Sequence, residues 1–117
     1  MKKRMLILTI LLAFVFGISA SAAEARTVYI RPTLTFAETE AECKVVIYGN
    51  TNSDDISAVI KFWENGRCLE TWNEEASGIL NFRTTVDVSK RNTYKLTVDA
   101  IIDGEEHPTA YIEKTHK

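Results

Sequence analysis

Two cysteines, Cys43 and Cys68, two histidines, His107 and His116, and a scatter of carboxylates are the side chains here with an intrinsic capacity for nucleophilic, acid–base or metal chemistry. Their spacing arranges them for none of it. A thiol nucleophile needs a histidine base, and both histidines lie far downstream of both cysteines with no supporting motif. Structural zinc wants four ligands, which these distant residues do not group. Glu38, Glu40 and Glu42 alternate along the approach to a strand and read as a solvated face, not as a catalytic carboxylate pair. Asn50-Thr51-Asn52-Ser53-Asp54-Asp55 offers oxygens of the kind calcium takes. It lacks the alternating acids and the distant bidentate glutamate of a calcium hand, so it reads as a plain turn. His107, beside Pro108, and His116, near the end, read as surface residues. No Gly-x-Ser-x-Gly, His-Glu-x-x-His or phosphate loop occurs. The expectation is a chain with no catalytic residue, no metal ligand and no cofactor, and so not an enzyme.

The cysteines acquire another meaning from the first segment. Lys2, Lys3 and Arg4 precede a nearly unbroken apolar run from Met5 to Ile18, and Ser19 to Ala23 are all small. This order is that of a helical secretory signal peptide. The apolar run, about 14 residues, is short of the roughly 20 that a spanning helix needs. Small residues at the required spacing allow cleavage after Ala22 or Ala25. The second is favoured, leaving a leader over 1–25 and a secreted domain over 26–117. No cysteine follows the run at once, so a lipid anchor is not expected. In an oxidising compartment two thiols with none left over imply one disulfide, Cys43 to Cys68. Closing a loop of about 25 residues would stabilise the fold by roughly 2–4 kcal/mol.

The whole chain has 117 residues and a formal charge of −2, from 14 basic against 16 acidic side chains. That length allows one small domain. Over 26–117 the balance is 11 basic against 15 acidic residues, about −4. A chain without basic excess has no electrostatic footprint for nucleic acid, nor for an anionic membrane once the leader is removed.

The elements that must position any site are strands. Val, Ile, Thr, Tyr, Phe and Trp supply 36 of the 92 residues in 26–117, a composition that fits half-buried pleated surfaces. Ala41, Cys43, Val45 and Ile47 alternate with more polar neighbours; so do Ile56, Ala58, Ile60 and Phe62, then Leu80, Phe82, Thr84 and Val86, then Tyr94 through Ile102. Shorter strands are expected over Val28 to Phe36, Cys68 to Trp72 and Thr109 to Lys114. Asn65-Gly66 and Asp103-Gly104 are tight-hairpin dipeptides. Asn50 to Asp55 and Asn73 to Gly78 read as polar loops, with a short helical turn allowed over Asn73 to Ala76. The sum is an all-β protein, a single antiparallel sandwich of about seven strands.

The Asn65-Gly66 hairpin has two registers. A two-residue turn pairs Trp63 with Cys68; a three-residue loop with a glycine bulge pairs Phe62 with Cys68. The second is expected, because it puts Cys68 on the core face, where a bridge to Cys43 must cross.

The segment Val86-Asp87-Val88-Ser89-Lys90-Arg91-Asn92-Thr93-Tyr94-Lys95-Leu96-Thr97-Val98 resembles the passage from fifth to sixth strand in the immunoglobulin-like and fibronectin type III-like sandwich families. There a tyrosine opens the central strand and its hydroxyl caps a corner of backbone. Trp63 is similar in place to their core tryptophan. The pattern also resembles small secreted bacterial proteins of unknown function. The resemblance implies the sandwich and assigns no activity. Aromatic residues remain as candidate contacts: Trp63, Trp72 and Tyr48, with Tyr111 beside them, are suited where exposed to stacking on a sugar ring or anchoring a protein, the alternative being that one or both tryptophans are core. The sequence therefore predicts an exported interaction module with a protein or glycan partner, and as the alternative a carbohydrate-binding module.

Overall fold

The computed structural model describes residues 27–117; the leader and its cleavage site lie outside the described residues. Eight strands follow one another: β1 (Tyr29–Phe36), β2 (Glu40–Tyr48), β3 (Asp55–Glu64), β4 (Arg67–Ser77), β5 (Ile79–Asp87), β6 (Asn92–Ile102), β7 (Glu105–Glu106) and β8 (Ala110–His116). They form two antiparallel sheets. One has the order β1-β2-β5; the other runs β4-β3-β6, with β7 and β8 both pairing with β6. The expected strand over Thr109 to Lys114 is β8, and the two-residue β7 is an addition to the expected seven. Asp103-Gly104 turns the chain back for two residues of pairing at Ile101 and Ile102, and Ala110 resumes it opposite Val98.

Period-two patterning builds the core. Leu34, Ala41, Cys43, Val45, Ile47, Leu80 and Phe82 fill the inner face of the three-stranded sheet. Ile56, Ala58, Ile60, Phe62, Tyr94, Leu96, Val98, Ala100 and Ile102 face them from the other. All are buried, and each large aliphatic side chain among them contributes roughly 1.5–3 kcal/mol by leaving water. Tyr94 is the largest, stacked on Phe62 at 5.3 Å. Its hydroxyl accepts the Ser89 backbone N–H at 2.8 Å and donates to Glu64 Oε2 at 2.8 Å. Burial, helped by the bond donated to Glu64, outweighs the Ser89 N–H and raises its pKa.

The Asn65-Gly66 hairpin takes the two-residue register, not the expected one. Both turn residues have positive φ, 48° and 86°, and Glu64 pairs with Arg67, Trp63 with Cys68. The ladder then shifts, so that Phe62 pairs with Glu70 and Leu69 is left as the extra residue of a bulge. The expected disulfide falls with that register. Cys43 is fully buried inside the β1-β2-β5 sheet, while Cys68 is exposed opposite Trp63, on the side of β4 turned away from the core; both thiols are free. The expected loop over Asn73 to Gly78 is also corrected. β4 continues to Ser77 because β3 offers it a ladder partner at every position down to Asp55. Gly78 alone then turns the chain, at φ 75°.

The lateral sides of the sandwich differ. On one, β8 meets β1: Lys114 Nζ donates to the Leu34 carbonyl at 2.9 Å, and His116 stacks on Phe36 at 4.7 Å with Nε2 3.1 Å from the Glu38 carbonyl. Only an N–H suits a carbonyl, so this nitrogen carries the hydrogen. His116 is therefore buried, not the surface residue expected. On the other side β4 and β5 splay around a groove of about 400 Å³.

Candidate functional site

The three aromatic candidates separate. Trp72 pairs with Ile60 and turns inward over the groove, where it packs on Phe82 at 5.2 Å; it is half-buried core. Trp63 lies on the outer face of its sheet, with Phe62 taking the core position of β3. Its indole N–H donates to Thr97 Oγ1 at 3.0 Å, and the Lys61 ammonium stands 5.9 Å from its ring centroid. Tyr111, 62% exposed on the same face, carries Lys95 Nζ at 4.9 Å. Both rings thus already face a cation.

Tyr48, the third, lies on the outer face of the other sheet and is 40% exposed. It ends β2 opposite Tyr29 of β1 and Ile79 of β5, so one row across the sheet carries three outward apolar side chains. Tyr29 and Tyr48 are each 40% exposed and Ile79 is 42% exposed. The tyrosine rings stack at 5.4 Å with 28° between planes, presenting one aromatic surface. Two residues inward, about 6.8 Å along each strand, stand Arg31, Val46 and Asn81, and two further on Thr33, Lys44 and Arg83. Arg31 Nη1 donates to the Tyr29 hydroxyl at 3.0 Å, which fixes the guanidinium beside the rings and raises its pKa further. Arg83 is paired with Glu42 at 3.0 Å. Arg31 and Lys44 have no carboxylate within 4 Å among the described residues. A shallow depression of about 300 Å³ joins these groups, lined by Tyr29, Arg31, Thr33, Lys44, Val46 and Tyr48, none of them acidic. The arrangement suits a flat ligand with one apolar face and negative charge at its edge.

The chain matches no protein-family model and none of the curated proteins. The reading therefore rests on geometry. Tyr29, Arg31, Lys44, Val46 and Ile79 escaped sequence reasoning because they lie on three separate segments. Only the β1-β2-β5 register brings them into adjacent rows.

The other groups weighed from the sequence fall elsewhere. Glu40 and Glu42 stand on the same outer face, at the end of the sheet away from the tyrosines, and Glu38 lies in the turn before β2, 3.4 Å from Lys90. Asp54 is buried and accepts the Asn50 N–H at 2.8 Å and the Thr51 hydroxyl at 2.6 Å, so its oxygens hold the Asn50 to Asp55 loop itself. No cluster of three or more metal-ligating side chains occurs among the described residues. His107 is half-buried, with Nε2 3.5 Å from Glu105 and lacking a hydrogen-bond partner among the described residues.

Proposed function

We propose that the protein is an exported, non-catalytic binding module that meets its partner, a protein or a glycan, through an outer sheet face. The exposed Tyr29–Tyr48 pair carries this reading: two stacked aromatic rings, each 40% exposed on a sheet whose other face is core, offer an amphipathic contact surface. Export rests on the charged, apolar, small-residue order of the first 25 residues. A relation to the immunoglobulin-like and fibronectin type III-like sandwiches is part of the proposal. The Tyr94 hydroxyl on the Ser89 backbone supports it, being the corner those folds use. The fourth strand departs from the immunoglobulin constant type, since β4 joins β3 and not the sheet of the second and fifth strands. A carbohydrate-binding module is the second reading, favoured by Tyr48.

Affinity capture from the native surroundings tests the module reading. The exported protein should retain a partner that the Tyr29→Ala/Tyr48→Ala variant loses; equal retention by both would remove this face from consideration. For the second reading, fluorescence titration with a glycan panel should show binding that survives Trp63→Ala and is lost in Tyr48→Ala.

A further inference from the structure

Resting on the binding-module reading, we propose that the outer face of the β1-β2-β5 sheet is a site for an acidic carbohydrate, a uronate-bearing glycan. Its sugar rings stack on Tyr29 and Tyr48, and its carboxylates meet Arg31 and Lys44. Charge complementarity points to the acid. Residues 27–117 carry 15 acidic against 10 basic side chains, yet the depression beside the tyrosines is lined by two cations and no carboxylate. Those cations have no acidic partner within 4 Å among the described residues, whereas neighbouring Arg83 is held by Glu42. Two cations without a carboxylate partner among the described residues, beside an exposed ring pair, supply both halves of uronate recognition, an apolar platform for the ring and charge-assisted donors for the carboxylate.

Other occupants fit less well. A stable protein interface covers about 800 Å² on each partner with a desolvated apolar centre. Here the apolar part is one row of three partly exposed side chains with half-buried Val46 beside it, and the row of Glu40 and Asp87 lies at the far end of the same face. A nucleic acid would meet the acidic excess of the remaining surface. The Trp63 face is the poorer site for an acidic sugar, because Glu113 lines the depression beside Trp63 and Asp99 stands on the same face.

Calorimetric titration of the exported protein with oligogalacturonate, and with the same oligosaccharide after reduction of its carboxyl groups, tests the proposal. The acidic form should bind at least about tenfold more tightly, as expected for a charge-assisted hydrogen bond, and should weaken as salt is added. Tyr48→Ala and Lys44→Gln should each lose about tenfold, while Trp63→Ala leaves affinity unchanged. Amide shifts on adding oligogalacturonate to the unmodified protein should concentrate in β1 and β2, which keeps the test valid if a variant misfolds. Equal affinity for both oligosaccharides, insensitivity to Tyr48→Ala, or shifts confined to β6 and β8 would each overturn the site. Absence of sugar binding together with a captured partner that Tyr29→Ala/Tyr48→Ala loses would overturn the glycan and leave the module reading standing. Absence of both would end both.

Discussion

At the scale of single residues, the two thiols have opposite surroundings. Cys43 is fully enclosed by core side chains, and burial, with a smaller contribution from the Glu42 charge, pushes its pKa from 9.0 up to about 12. Cys68 is exposed on an edge strand, its Sγ 3.5 Å from the Glu70 carbonyl and 3.6 Å from Thr71 Oγ1. Native protein at pH 8 should therefore take up one equivalent of iodoacetamide, at Cys68, and a second only after unfolding, with intact mass as the readout. A protein that takes up none in denaturant, its mass two hydrogens short, would restore the disulfide. The raised pKa also sets a pH dependence. The folded state keeps the Cys43 proton while the unfolded chain loses its own above about pH 9, so protons are bound more tightly in the native state and stability falls as pH rises. The contribution is fully present below pH 9 and is lost toward pH 12. In chemical denaturation, the stability of the natural protein relative to Cys43→Ala should hold steady below about pH 8.5 and decline by up to roughly 2 kcal/mol by pH 11.

At the scale of elements, turns decide what alternation cannot. Gly78 and Gly66 both have positive φ, but an added Cβ at Gly78 would lie 2.5 Å from the Asn52 carbonyl oxygen, while at Gly66 it would meet nothing within 4 Å. Gly78 also ties three segments together, its carbonyl accepting the Gly49 N–H at 2.9 Å and its N–H donating to the Asp54 carbonyl at 2.8 Å. Gly66→Ala should cost about 1–2 kcal/mol, the left-handed penalty alone, and Gly78→Ala clearly more, because backbone must move as well. Thermal unfolding of the two variants checks the order, and equal losses would mean that the loop yields easily. The same contrast shows what was legible in the sequence. Four long strands announce themselves because Ala41 to Ile47, Ile56 to Phe62, Leu80 to Val86 and Tyr94 to Ile102 place apolar residues at every second position, Thr84 alone excepted, and Asn65-Gly66 announces its hairpin. The bulge at Leu69 has no such signature, since exposed Leu69 and Glu70 give no alternation to read, and one displaced residue exchanged the faces of Cys68 and its neighbours. β4 was cut short for a related reason: Glu74 faces inward with Trp72 and Ala76 at a sheet edge, where a carboxylate still reaches water. The candidate site was visible only as Tyr48, because a row across strands is a property of register.

At the scale of the whole molecule, the sandwich is fastened on one side and open on the other. β1 and β8 are joined by the Lys114 and His116 bonds and by the Phe36 stack, which continues to Tyr94 at 5.7 Å. Between β4 and β5 the main closure is Trp72 against Phe82, over a groove that Phe62, Leu69 and Val86 also line. Edge strands are templates for unwanted pairing, and β4 blunts its edge with Arg67, Glu70, Glu74, Glu75 and the bulge. The two sides should therefore open with different free energies. Amides of β3 and β6, central in their sheet, should exchange slowest. Trp72→Ala removes a half-buried indole and should destabilise by about 1–3 kcal/mol, below the 3–5 kcal/mol of a fully buried ring. Its effect on exchange should be uneven: protection falls first in β4 and in the part of β5 around Phe82, while β1 and β8 keep theirs until global unfolding. A uniform loss of protection would mean that the fold opens only as a unit and that the groove side is no weaker than the fastened one. A selective loss would identify the β4–β5 side as the place where this sandwich first yields, away from the Tyr29–Tyr48 row. The proposed binding face would then keep its register while the opposite side fluctuates.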